Sequence, residues 1–403
     1  MRLSDHFSKP CVPLLFSFAQ EARALVDLGI DVISMEQGQM DFPTPANVIE
    51  AAKKFMDTGQ ILYTNVDGLP ALKEAIQFKL KRDNALFYEL DELYVGAGTS
   101  QVIFNALAVT LEPGDEVIVP VPAWTVFELG IRAHRGIPRY IETSFDTGFK
   151  ITPNQLQSAI TPQTKWFVLN SPSNPTGAIY SADELESLAN VLRQHAHVAV
   201  LSDDLYEHQI YDERKFVNIV NVAPDLRDRI LVINGVAKTY GMTGWRIGYG
   251  AGPAHLLLAM KWYQAPSTSS PCHISQIAAI EALNGPQRFL EERRQILQER
   301  RNIFVQAINE CPGWSAKLSE GAFYVYASCE GLIGATTPKG VMLNNDIDVA
   351  RYLMNEANVI SVPGAAFGLS PFIRFSFGTS TDRVAEAGRR IMTATKSLLS
   401  VKQ

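Results

Sequence analysis

The sequence predicts an α/β protein in which a mostly parallel central sheet, flanked by helices, is joined to a smaller α+β domain. Three observations carry that expectation. From about residue 90 to 250, strand-like and helix-like stretches alternate, as they do where helices cover both faces of a parallel sheet. Within that span the apolar runs Trp166–Leu169, Val198–Leu201 and Ile230–Ile233 read as buried strands, each ending in polar residues. Beyond about residue 253 the rhythm changes to one long charged helix followed by short strands.

Taken in order, Glu92–Val95 reads as a strand and Gly96-Ala97-Gly98 as a turn. Thr99–Leu111 follows as a helix, stopped by Pro113-Gly114, and Asp115-Glu116 opens a second buried strand, Val117–Val121. Ser181-Ala182-Asp183-Glu184 is a capping box, and Leu185, Leu188, Ala189 and Leu192 stripe one face of the crossover helix behind it. Ile247–Gly250 reads as another apolar strand. Pro286 to Ile308 reads as a partly solvated connecting helix; Leu290, Leu297 and Phe304 stand a heptad apart, over too few turns for a coiled coil. Trp314–Leu318, Ala322–Ala327 and Ile373–Phe377 read as strands of the smaller module.

At 403 residues the chain exceeds one ordinary core. We expect a large domain at 46–285 and a small one formed from both chain ends, 1–45 and 286–403. With 46% hydrophobic residues, 19% charged and a net charge of −6, the composition is that of a globular protein with no basic surface for nucleic acid. Cys11, Cys272, Cys311 and Cys329 form no CxxC pair, which fits a reduced compartment. The apolar stretch Val12–Phe16 is interrupted by Pro13, and no run approaches the roughly 18 to 20 residues of a membrane span, so the cytoplasm is expected.

In open α/β sheets, ligands gather outside the carboxyl ends of the strands. The three buried runs deliver Asn174, Asp203 and Lys238 there, a set suited to pyridoxal phosphate: lysine as Schiff base, aspartate opposite the pyridine nitrogen. Between Lys238 and Arg246 lie two glycines, two further aromatics and no acid. A lysine held there loses hydration and feels a neighbouring cation; both lower its pKa and favour the neutral amine. Gly96-Ala97-Gly98-Thr99-Ser100 joins a strand to a helix whose first amides are unpaired, an anion site or an ordinary glycine turn. Gln101 stands where a dinucleotide fingerprint wants a third glycine. Asp203 and Asp204, being adjacent, point to opposite faces; Tyr206 reads as a site or a core residue. Arg374, alone among the aromatics of Phe372–Phe377, wants a carboxylate, whether from substrate or from an internal ion pair.

With Asn174-Pro175-Thr176-Gly177, Ser202-Asp203-Asp204-Leu205-Tyr206-Glu207-His208 and Lys238 through Arg246 in that sequence order, the chain resembles the class I aminotransferases, pyridoxal-phosphate enzymes of fold type I. The resemblance runs from Gly38-Gln39-Met40-Asp41 to Arg374 and implies transfer of an amino group from an L-amino acid to a 2-oxo acid. By position, Lys238 is then the catalytic Schiff-base lysine, and Asp203 keeps the pyridine nitrogen protonated. Asn174 and Tyr206 meet the ring hydroxyl, and Trp124 stacks on the ring. Gly98, Thr99, Ser100 and Arg246 cradle the phosphate. Arg374, the Gly38 backbone and the Asn174 amide hold the substrate carboxylate. Tyr63 reaches the neighbouring subunit's phosphate, implying a homodimer with shared sites.

Three positions depart from the family pattern. Gly235 replaces a phosphate-binding serine, Gln39-Met40 replaces Glu-Pro, and Ser100 replaces a lysine of bacterial relatives that use aspartate. The last argues against aspartate as the preferred donor and leaves an aromatic or aliphatic donor open. The motifs do not exclude another reaction of this cofactor, a β-lyase or a cyclising synthase, which needs the same lysine. A cofactor-sensing transcription regulator would need an added basic DNA-binding module.

Overall fold

The computed structural model describes residues 14–400; Cys11 and positions 12 and 13 of the apolar stretch lie outside them. The strands, in chain order, are β1 (Ile33–Ser34), β2 (Leu93–Gly96), β3 (Glu116–Val121), β4 (Ile137–Glu142), β5 (Thr164–Asn170), β6 (Ala199–Asp203), β7 (Ile230–Gly235) and β8 (Gly248–Ala251), followed by β9 (Tyr324–Ser328), β10 (Val359–Ile360), β11 (Val362–Pro363) and β12 (Phe372–Ser376). Seven of them form one sheet, in the order β2-β8-β7-β6-β5-β3-β4. All its pairings are parallel except those of β8, which runs antiparallel to both neighbours.

Successive residues of the central strands enter two different cores. Phe167 and Leu169 of β5 and Val200 of β6 pack in one; Trp166 and Val168 of β5 and Leu201 of β6 pack in the other. Helices cover both faces, which is why these strands read as continuous apolar runs with no polar alternation. The helix Ala182–Arg193 begins at the Ser181 capping box, where Ser181 Oγ accepts from the Glu184 amide at 3.2 Å. Its stripe Leu185, Leu188, Ala189 and Leu192 is buried against the sheet.

A second region pairs β11-β12-β9 antiparallel, and β1 with β10 in parallel. One core joins Phe18, Ala22, Ile33 and Met35 to residues from Leu297 to Leu398, so the two ends of the described chain share it. The helix Phe289–Asn309 lies against Thr381–Ser400, with Leu297 and Phe304 buried and Arg293 and Arg294 at its exposed or half-buried side.

Two sequence expectations need correction. Trp314–Leu318 is not a strand: it contributes one isolated bridge, Ser315 to Ser328, and Trp314 is held by burial and by its indole donating to Thr395 Oγ1 at 3.1 Å. The edge strand β4 was not anticipated. Its residues are half exposed and mixed in polarity, so no apolar run announces it.

Register positions the site. In the β5–β6 pairing Asn170 faces Asp203, and in the β6–β7 pairing Asp203 faces Ile233. The carboxyl ends of three adjacent strands are therefore level, and Lys238 follows three residues beyond the end of β7.

Candidate active site

A cavity of about 800 Å³ opens at those strand ends. Its lining includes Gly38, Thr99, Ser100, Trp124, Asn174, Asp203, Tyr206, Lys238, Arg246 and Arg374. These residues come from strand ends, a helix start and the β12 strand, and the fold gathers them from 336 positions of sequence, Gly38 to Arg374.

The amine of Lys238 donates to the Gly38 carbonyl. Burial lowers its pKa from 10.5 to about 8, helped by repulsion from Arg246 and Arg374 and opposed by Asp203. Asp203 is almost fully buried, and its carboxylate accepts one hydrogen bond, from the Leu205 amide at 3.2 Å. Burial raises its pKa to about 7. Asp204 points the other way, accepting from Ser202 Oγ at 2.8 Å and from the Asn218 amide nitrogen, and it does not line the cavity. The two adjacent acids are thus separated by strand geometry.

Tyr206 shares a 3.1 Å hydroxyl contact with Tyr324. Arg374 is buried between Tyr324 and Phe367, 4.6 and 4.8 Å from the ring centres. It donates to Asn174 Oδ1 at 3.1 Å and to the Glu36 carbonyl. With its oxygen engaged, Asn174 keeps its amide nitrogen as the donor for a ligand. Of the two partners open to Arg374, an internal ion pair is not formed among the described residues; its Nε has no partner.

At the far end, helix Thr99–Thr110 starts without a side-chain cap at Gly98, leaving first-turn amides for a ligand. Arg246 is held over it by donating to the Ala97 and Thr243 carbonyls, both at 3.2 Å. Gly98 is required twice. Its φ is +88°, and a Cβ there would lie 2.8 Å from Arg246 Cζ. Gly98 is therefore beneath the guanidinium and does not itself line the cavity. Gly235 has a local reason too: a side chain would meet Ile247 O at 3.0 Å and the Thr99 methyl at 3.3 Å. Tyr63 stands apart, 93% exposed on its own chain.

Several lining residues were not foreseen: Glu36, Asn170, Tyr324, and Arg23 and Asp27 on the N-terminal helix Leu14–Asp27. Tyr324 sits in a strand that the sequence indicates, but its residues are buried almost throughout and nothing local says which face meets the cavity. Arg23 and Asp27 had no signal beyond helical spacing.

The family model for aminotransferase class I and II matches residues 30–391. The chain belongs to that family. It is 46% identical to an aspartate/prephenate aminotransferase of Cereibacter sphaeroides over 389 residues, covering 96% of this chain and 97% of that one. The crystal structure of the aspartate aminotransferase from Rhizobium meliloti superimposes with a TM-score of 0.96 at 44% identity, covering 99% and 100% of the two chains. The Thermus thermophilus aspartate aminotransferase with maleate superimposes at 0.90 and 34% identity, covering 98% and 100%. The fold is that of the pyridoxal-phosphate enzymes of type I, and the chain is a pyridoxal-phosphate-dependent aminotransferase acting on amino acids and 2-oxo acids.

The site fits the cofactor on its own observations. An uncapped helix start beneath an arginine suits a phosphate. A buried carboxylate with a single hydrogen bond lacks a cationic partner, and a protonated ring nitrogen is one. An amine with a pKa near 8 stands in the same cavity.

Proposed function

We propose that Lys238 is the catalytic amine of this aminotransferase and that its donor carries an uncharged side chain. The observation that supports this most is the coexistence, in one cavity, of a desolvated lysine, a buried acid and an uncapped helix start. In this reading Thr99, Ser100 and Arg246, with Gly98 as the floor, would hold the phosphate. Asp203 would face the ring nitrogen, Asn174 and Tyr206 the ring hydroxyl, and Trp124 the ring face. Bound there, the cofactor supplies an electron-withdrawing ring that weakens the substrate's Cα–H bond. Arg374, the Gly38 main chain and the Asn174 amide nitrogen orient the substrate carboxylate, and the neutral Lys238 Nζ takes up and returns the Cα proton.

Charge supports the donor reading. With Lys238, Arg246 and Asp203 committed to the cofactor, the remaining charged lining residues are Arg374 and Arg23 against Glu36 and Asp27. That balance is neutral and suits an amino acid bearing a single carboxylate. A second reading, aspartate, is favoured by the names of the relatives. Screening purified enzyme with aspartate, aromatic and aliphatic donors against pyruvate, 2-oxoglutarate and oxaloacetate separates the two; aspartate as the best donor by kcat/KM overturns the first. Ser100→Lys is expected to raise kcat/KM for aspartate about tenfold or more, by placing a cation where a second carboxylate can pair, while an aliphatic donor gains nothing.

Gly98→Ala is expected to weaken cofactor affinity at least about tenfold, a loss near 1.4 kcal/mol, because the methyl displaces Arg246 and strains a left-handed position. Titration of cofactor-free protein with pyridoxal phosphate reads it.

We also propose a homodimer in which Tyr63 reaches its partner's site. Leu62, Tyr63 and Trp262 are strongly exposed apolar groups on a single chain, at 65%, 93% and 74%. Light scattering at the mass of one chain would contradict it. The domain division at 46–285 remains part of this reading, as does the cytoplasm, which the reduced Cys272, Cys311 and Cys329 suit. No helix among the described residues is long and apolar enough to cross a membrane.

A further inference from the structure

Glu36 is an acid in an unexpected place. It lines the cavity, is 6% exposed, and its main-chain carbonyl accepts from Arg374. Yet its side chain does not close an ion pair with that arginine: Glu36 Oε2 and Arg374 Nε are both buried without a partner. A buried carboxylate and a buried guanidinium line one cavity, each with a polar atom unsatisfied, so neither neutralises the other and a third polar group entering the cavity can pair with the guanidinium. On the reading of Arg374 as the substrate-carboxylate clamp, that group is the substrate's own carboxylate.

The incoming carboxylate then meets Glu36 as well as Arg374. Two carboxylates on one guanidinium repel, and the buried one with the poorer hydrogen bonding is the one to be neutralised. Burial already raises the Glu36 pKa, with Arg374, Ser34 and Gln37 opposing. Arg23 and Asp27 face the same space from the N-terminal helix, and Tyr324 and Tyr206 from β9 and the turn after β6. Lys238, Asp203 and Arg246 titrate or carry charge deeper in the cavity.

We propose that Glu36 is a positioning residue that sets the net charge of the Arg374 clamp, so that binding a substrate carboxylate draws one proton from solvent onto Glu36 Oε2. The proton leaves again with the product. Substrate affinity consequently falls as pH rises from the range where free Glu36 ionises to the higher range where bound Glu36 does.

The test compares KM and kcat for one donor across about pH 5 to 9 in wild type, Glu36→Gln and Glu36→Asp, since each pH unit of a one-proton linkage is worth up to tenfold. The expected result is a KM that climbs with pH more steeply in wild type than in Glu36→Gln, a lower KM in Glu36→Gln at high pH, and the wild-type trend restored in Glu36→Asp. The effect falls on KM and not on kcat. Other titrating groups, Lys238 and Asp203 included, are common to all three proteins and cancel in the comparison. Calorimetry of propionate binding in two buffers of different ionisation enthalpy counts the proton directly: uptake is larger by up to one proton in wild type than in Glu36→Gln. A Glu36→Gln enzyme with KM raised at every pH, or superimposable on wild type, overturns the inference. Arg374→Lys separates the two readings. It raises KM for every donor if the clamp reading holds, so failure of Glu36→Gln alone removes only the role of Glu36; an unchanged KM in Arg374→Lys removes both.

Discussion

Lys238→Ala is expected to lower kcat by about 10⁴-fold, the upper end of what a positioned acid–base group contributes. The size follows from the surroundings of the amine. Burial and two nearby guanidinium groups bring its pKa to about 8, so at neutral pH roughly a tenth of the population is neutral, against about one part in three thousand for an ordinary lysine. No other lysine lines the cavity, so nothing can stand in for it. Lys238→Arg should be equally inactive, because a guanidinium does not give up its proton. Single-turnover kinetics with a saturating donor measure the loss. A variant that retained a tenth of wild-type activity would remove Lys238 from the mechanism.

The second large effect is expected at Asp203, and it has opposite signs in the two forms of the protein. On the proposed reading, Asp203→Asn in the loaded enzyme removes the buried negative charge that would face the cofactor's ring nitrogen, and kcat should fall about 10²- to 10³-fold, as for loss of a preorganised electrostatic group. In the cofactor-free protein the same substitution should stabilise. Burial raises the Asp203 pKa from 3.8 to about 7, so the folded state holds its proton more tightly than the unfolded chain. The stability this contributes is complete below about pH 4 and is lost as pH rises through 7. At pH 8 the cofactor-free wild type therefore bears a cost of order a few kcal/mol that Asn does not. Thermal melts at pH 8 should show cofactor-free Asp203→Asn above cofactor-free wild type, and the order reversed once cofactor is added. Equal melting temperatures without cofactor would contradict the assigned burial cost.

Much of this site was legible in the sequence because its chemistry is tied to strand ends. Asn174, Asp203 and Lys238 each follow an apolar run, and parallel pairing in register makes the ends of those runs level without any long-range information. The separation of Asp203 from Asp204 followed from strand geometry alone. Of the residues put forward, all but Gly98 and Tyr63 line one cavity. Gly98 is absent because its role is to be empty space under Arg246, and Tyr63 because it faces outward on its own chain.

What stayed hidden depends on how distant segments meet. Glu36 and the N-terminal helix lie far in sequence from the central sheet, and reach the cavity through a core built from both ends of the described chain. Tyr324 stands on a strand that was recognised, but the face it presents is fixed by β12, nearly fifty residues on. The edge strand β4 shows the converse case. Only two of its six residues are buried, so no periodic apolar signal survives in the sequence. Trp314–Leu318 misled for the same reason in reverse: Trp314 and Ala316 are buried in the second core without a ladder of strand hydrogen bonds, and Leu318 is exposed.

The most direct measurement is chemical. Reducing the loaded enzyme with borohydride fixes the cofactor to whichever amine holds it, and peptide mass spectrometry then reads the position. The added mass should fall on the peptide containing Lys238 and on no other lysine. A label at a different lysine, or none, would contradict the assignment on which the site rests.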